Sequence, residues 1–126
     1  MKVVLDASAL LALLNEEPGS EVVEASIPGA VISAVNLSEV IAKLSESGLP
    51  EEAIHQVVED VEMEVYAFDA VSAHQTGRLR LETRSSGISL GDRACLALGR
   101  QLGLPVLTAD RPWRDLALGI EVRLIR

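Results

Sequence analysis

The sequence predicts a three-layer α/β/α sandwich built on a five-stranded, mainly parallel sheet. Two observations carry that reading. Short apolar runs recur at Val3-Val4-Leu5, Ala30-Val31-Ile32-Ser33, Glu64 to Phe68, Leu104 to Thr108 and Ile120 to Ile125, with helical stretches between successive runs. Strands that alternate with helices in this way imply parallel crossovers. The first run is apolar at every position, as expected of a strand covered on both faces in the middle of such a sheet.

The elements follow in order. Ser8 to Glu16 reads as a short helix ended by Pro18-Gly19, and Ser20 to Ser26 as a second helical piece. Pro28-Gly29 leads into the second strand. Asn36 is read as the cap of a helix running to about Ser47, with Leu37, Val40, Ile41 and Leu44 on one face and Gly48 as its stop. Pro50-Glu51-Glu52 begins another helix, proline and acids first. Asp69 caps a helix reaching about Thr83, and Ser85-Ser86-Gly87 is a loop. Ser89 opens a helix ending near Gly103, and Pro112 begins a single helical turn before the fifth strand. There is no internal repeat or linker, so residues 1–126 read as one domain.

Composition narrows the function. Asp6 interrupts the first apolar run and Leu10 to Leu14 is too short to be a signal or a membrane span, which gives the expectation of a soluble, cytoplasmic protein without a membrane partner. The lone Cys95 lies in an apolar helical run and reads as an inert buried thiol, while His55 and His74 are isolated on helices. Net charge is −8, which taken whole disfavours nucleic acid. Its distribution is uneven: residues 1–77 carry 14 acids and 2 bases, residues 78–126 carry 5 acids and 9 bases, all arginine. Arginine suits bidentate phosphate contact, although each could equally be a solvated surface residue.

Four acids stand apart. Asp6 and Asp110 each follow an apolar strand directly, so each lies at a strand's C-terminal end, where ligands of open α/β sheets bind. Glu39 falls in the first turn of the helix leaving the second strand. Asp92 starts a helix of roughly thirteen residues, about 20 Å long. That helix returns through Gly103 into a strand about 17 Å long. Its start therefore comes back level with Asp110, and all four carboxylates converge on one edge. Each also has a plain structural explanation. Asn36-Leu37-Ser38-Glu39 and Ser89-Leu90-Gly91-Asp92 both fit a capping box, and Asp6 and Asp110 could simply bond nearby backbone. Four acids at one edge nevertheless repel by several kcal/mol at an effective dielectric of about 20. Either their pKa values rise or a cation holds them together. With no histidine or cysteine cluster, a hard ion, Mg²⁺ or Mn²⁺, fits the donors best.

At these residues the chain resembles a known family. Asp6-Ala7-Ser8, Asn36-Leu37-Ser38-Glu39, Ser89-Leu90-Gly91-Asp92-Arg93 and Leu107-Thr108-Ala109-Asp110-Arg111 are similar to the motifs of PIN-domain ribonucleases, above all the toxins of VapBC-type toxin–antitoxin modules. The resemblance covers essentially the whole chain. It implies a sheet in the order 3-2-1-4-5 and an acidic quartet, Asp6, Glu39, Asp92 and Asp110, that binds Mg²⁺ or Mn²⁺ and cleaves RNA. It implies polar supports at Ser8, Asn36 and Thr108, and matches Asp115 to an additional acid. It also implies a homodimer inhibited by a cognate antitoxin. Arg93 and Arg111 are the first candidates for holding substrate phosphates. Three other readings stay open: a PIN nuclease of RNA processing outside any toxin module, a PIN-like binding module, and a receiver-type phosphoacceptor domain. Against the last stand the missing acidic pair at the first strand and the missing lysine after the fifth.

Overall fold

Central strands of a parallel sheet must bury both faces, and here the alternation of side chains sends successive residues of one strand into different cores. The computed structural model describes residues 2–126. Its strands are β1 (Val3–Leu5), β2 (Ala30–Ser33), β3 (Met63–Tyr66), β4 (Val106–Thr108) and β5 (Val122–Leu124). They form one sheet in the order β3-β2-β1-β4-β5, with every neighbouring pair parallel. Val4 sits beside Val31 and Val106, and Leu5 beside Ile32 and Leu107, so the centre of the sheet is aliphatic. This order also disposes of the receiver-type reading, because the flavodoxin-like sheet of that class runs 2-1-3-4-5.

Six helices cover the two faces: α1 (Ala7–Leu14), α2 (Ser20–Glu24), α3 (Ala34–Glu46), α4 (Glu51–Glu59), α5 (Ala70–Thr83) and α6 (Leu90–Leu102). Val3, Leu5, Ala30 and Leu107 pack against Ala9, Ala12 and Val23 of α1 and α2. Ile32 packs on the same side, with Leu10, Val40, Leu44 and Ile54 from α1, α3 and α4. The opposite face sends Val4, Val31 and Val106 into a core with Leu79 of α5, Cys95 to Leu98 of α6 and Trp113. Each fully buried Leu, Ile or Val contributes roughly 1.5–3 kcal/mol relative to exposure. α6 lies close on the sheet because Gly99 has no side chain: a Cβ there would stand 2.6 Å from Val106 Cγ2. No helix among the described residues is long and apolar enough to cross a membrane.

The sequence reading needs several corrections. α1 begins at Ala7, one residue earlier than expected, because Asp6 caps it by accepting from the Ala9 N–H. Asn36 does not cap α3. Ser33, at the end of β2, accepts from the Val35 N–H and starts the helix three residues sooner, which leaves Asn36 buried inside the first turn. β3 is Met63–Tyr66 instead of 64–68, since Asp69 already caps α5. β4 and β5 are trimmed to three residues each, and the turn after β4 is a 3-10 helix, Arg111–Asp115, with proline at its start.

Gly19 joins the chain's two ends. It precedes α2 with φ +96°, and a Cβ there would meet the Ile125 carbonyl oxygen at 2.5 Å. Gly19→Ala combines a left-handed backbone with a backbone clash, and is expected to cost about 1–3 kcal/mol or more. A urea denaturation midpoint unchanged by this substitution would contradict the packing described.

Candidate active site

The C-terminal edge of the sheet is held together around one buried carboxylate. Asp6, only 5% exposed, accepts at Oδ1 from the Ser8 hydroxyl (2.7 Å) and the Ala9 N–H (2.8 Å), and at Oδ2 from the Thr108 hydroxyl (2.5 Å). Both hydroxyls accept a second bond from the chain beyond β4: Ser8 from the Ala109 N–H (2.9 Å) and Thr108 from the Asp110 N–H (3.0 Å). The backbone carrying Asp110 is thereby tied to Asp6. Ser8 and Thr108, which the resemblance marks as polar supports, thus bridge the Asp6 carboxylate and the backbone of Ala109 and Asp110. Burial pushes the Asp6 carboxyl above its ordinary value of 3.8. The bonds from Thr108, Ser8 and the Ala9 N–H oppose that rise, and the charge of Asp92 adds to it.

Glu39 reaches the edge through Asn36. The Asn36 Nδ2 donates to Glu39 Oε1 (2.9 Å) and to the Gly91 carbonyl (3.0 Å), linking α3 to the first turn of α6. Its Oδ1 is buried and has no partner among the described residues. Gly91 is the space Glu39 needs, because a Cβ there would lie 2.5 Å from Glu39 Oε1. Asp92 does form the expected capping box: the Ser89 hydroxyl accepts from the Asp92 N–H (3.2 Å) and Asp92 Oδ2 accepts from the Ser89 N–H (3.0 Å). One oxygen of Asp92 thus serves the cap while the residue also lines the cleft.

All four acids line one open cleft of about 250 Å³, together with Ser8, Asn36 and Lys43. Cys95 lies beneath it. Its thiol is pushed well up by burial, and the charges of Asp6, Asp92 and Glu39 push it further, so it stays protonated and inert. The carboxylates share the cleft without closing on a point: no group of three or more His, Cys, Asp or Glu side chains is arranged to hold an ion among the described residues. Asp6, Glu39 and Asp92 are instead each held by their own local donors. The donors that face the cleft are oxygens, hard ligands of the type that magnesium-like ions take along with several waters.

Arg93 and Arg111 do not line the cleft. Arg93 is half-buried, its Nε enclosed and without a partner among the described residues, and Arg111 is exposed on the 3-10 turn. The cation that does line the cleft is Lys43, which sequence reasoning missed. The signal was present: Lys43 follows Asn36 by seven positions and Glu39 by four, which is one face of a helix. Asp115 stands outside the quartet. It is exposed, 3.9 Å from the Arg114 guanidinium, in a neighbouring hollow of about 370 Å³ that also has Asp92 and Asp110 in its wall.

A sheet of this order with acids gathered at its C-terminal edge defines a class of small α/β nuclease-like domains, and comparison with known proteins makes the class specific. The PIN domain family model matches residues 3–118, and the chain belongs to that family. Among solved structures, the DNA-bound VapBC from Salmonella typhimurium is similar at 23% identity and TM-score 0.78, covering 100% of this chain and 99% of that one. VapBC-5 from Mycobacterium tuberculosis, a toxin–antitoxin system, shares 26% identity at TM-score 0.64, covering 99% and 98%. VapC20 of the same organism, a sarcin–ricin-loop-cleaving toxin, shares 20% at TM-score 0.75, covering 94% and 95%. No curated protein matches the sequence.

The raised Asp6 value sets a pH dependence. A carboxyl that ionises less readily when folded binds more protons in the folded state, so its contribution is full below 3.8 and is lost as pH rises through the higher folded value. Urea denaturation without divalent ions is expected to show the stability of Asp6→Asn rising relative to the wild type as pH climbs from 3.8 through the higher folded value. A relative stability that is constant, or that falls with pH, would contradict the burial assigned to Asp6.

Proposed function

We propose that this chain is a metal-dependent endoribonuclease and the toxin of a type II toxin–antitoxin pair. One observation carries the reading: four carboxylates delivered by four separate segments, the ends of β1 and β4, the second turn of α3 and the first turn of α6, line a single cleft that also contains a lysine. A fold has no structural need to bring those charges together, and the family to which the chain belongs supplies a chemical one.

Asp6, Asp92 and Asp110 are the residues that would hold Mg²⁺ or Mn²⁺. A bound ion of that kind lowers the pKa of a water and offsets negative charge developing on phosphate. The protein's own groups do the rest. Glu39, fixed by Asn36 against the space left by Gly91, is placed to orient the attacking water and accept its proton, or to serve as a ligand of a second ion. Lys43 supplies a positive charge for a non-bridging phosphate oxygen, a point-charge contact that suits its flexible stem. Water oxygen bonds to phosphorus as the strand's P–O bond breaks, and the leaving oxygen takes a proton from solvent. Arg93 and Arg111, both outside the cleft, would act on phosphates further along the strand.

The partner of such a toxin is a cognate antitoxin protein, and its active form is a homodimer. The similar structures of a toxin–antitoxin system and of a sarcin–ricin-loop-cleaving toxin support both nuclease activity and an antitoxin partner for this chain. RNA processing outside a toxin pair is the competing reading. Growth arrest on expression, relieved by the protein encoded next to it, selects the toxin.

Asp6→Asn and Asp92→Asn are each expected to reduce divalent-dependent RNA cleavage by more than the ~10–100-fold that loss of an outer-shell partner costs. Undiminished cleavage in both removes the proposal. Gly91→Ala tests the Glu39 arrangement separately. The displaced group is the end of an exposed side chain, so the melting temperature should change little while cleavage falls about 10–100-fold. Equal loss of folding and activity would mean that Gly91 is needed only for packing.

A further inference from the structure

Asp92 and Asp110 each belong to two clefts. On the far side of this acidic pair from Lys43, the larger hollow of about 370 Å³ is bounded by Ile88, Pro112 and Leu116, by Ser86 and Asp115, and by Trp113. No lysine or arginine lines it among the described residues, and three carboxylates do, so an anion would be repelled there. It cannot be a second phosphate site. Its apolar walls and hydrogen-bonding rim suit something flat and uncharged.

Trp113 adds an independent observation. It is 1% exposed, and its indole Nε1 is buried without an acceptor among the described residues. Buried indole N–H groups normally find a partner. The hollow is the space beside this side chain, and its rim otherwise presents acceptors, the Asp115 carboxylate and the Ser86 hydroxyl. A ligand with apolar faces and hydrogen-bonding groups along its edge suits these apolar walls and this rim, and a nucleobase is such a ligand. A volume of a few hundred Å³ is at the small end of ligand pockets, enough for one nucleoside and too small for a duplex. Bases that are unpaired and splayed out are what proteins read in RNA.

We propose that the hollow beside Trp113 is a base subsite. It takes one unpaired nucleobase next to the phosphate held at the acids, with Asp115 accepting from an amino or imino N–H of that base. The proposal rests on reading the acid cleft as a ribonuclease site. It gives the strand a direction through the protein: the phosphate lies at the carboxylates, its Lys43 side faces α3, and the flanking base enters between Ile88 and Leu116.

The protein has a built-in probe, since Trp113 is its only tryptophan. Titration of the full chain with each of the four nucleoside monophosphates, and with inorganic phosphate, is followed by tryptophan emission. At least one nucleotide should change the emission saturably, and inorganic phosphate should not. Asp115→Ala, at an exposed position, should keep the wild-type melting temperature while weakening that response at least about tenfold, the usual scale for losing a hydrogen bond to a charged group. In mapped cleavage of a mixed-sequence RNA, the same variant should lose base preference at one position beside the cut. Emission that ignores every nucleotide, responds equally to phosphate, or is unaltered by Asp115→Ala overturns the proposal. The two readings separate cleanly. A wild type that cleaves RNA without any emission response loses only the subsite, whereas a saturable nucleotide response in a protein that cleaves nothing keeps the subsite and loses the nuclease.

Discussion

A carboxylate buried at the meeting point of two strands is the constraint on which the rest of this structure depends. Asp6 ends β1, caps α1, and is bonded through Ser8 and Thr108 to the backbone beyond β4. Burying a charge is costly unless it is well bonded, and three donors offset part of that cost. The remainder shows as a carboxyl that ionises reluctantly beside Asp92. The same bonds that close the sheet's edge hold Asp6 at the cleft that Glu39, Asp92 and Asp110 also line.

The charge asymmetry along the chain acquires a structural meaning, though not the one its sequence first suggests. Arg100 bonds Glu82 (3.1 Å) and the Leu118 carbonyl (2.8 Å), Arg126 bonds Glu17 (3.1 Å) and the Pro18 carbonyl (2.9 Å), and Arg123 pairs with Glu121. Several arginines of the second half therefore hold segments of the surface together. The cation that lines the acidic cleft is instead Lys43, one of two lysines and a member of the acidic half. Counting charges by segment could not reveal this, because the segment boundary is not a boundary in space.

Much of the fold was legible because strand burial is written as uninterrupted apolar runs, as in Val3-Val4-Leu5, and helix ends as capping residues, as in Ser89 and Asp69. The gathering of the acids was legible from topology alone, since a strand's end and the start of an antiparallel returning helix must lie level. What stayed hidden turned on competition between neighbouring residues for one role. Ser33 and Asn36 are both good caps, and only the length of β2 decides for Ser33, which releases Asn36 to bridge Glu39 and Gly91. Trp113 follows an exposed proline and gives no pattern of burial in sequence, yet it closes the core under α6. Ser89-Leu90-Gly91-Asp92 shows the converse, a local motif whose two explanations coexist.

The central claim is that these carboxylates form a site for a hard divalent ion. Calorimetric titration of the chain with Mn²⁺ tests it most directly. The account predicts saturable uptake by the wild type and its loss in Asp6→Asn. Absence of saturable uptake by the wild type, or uptake that Asp6→Asn leaves intact, would contradict it.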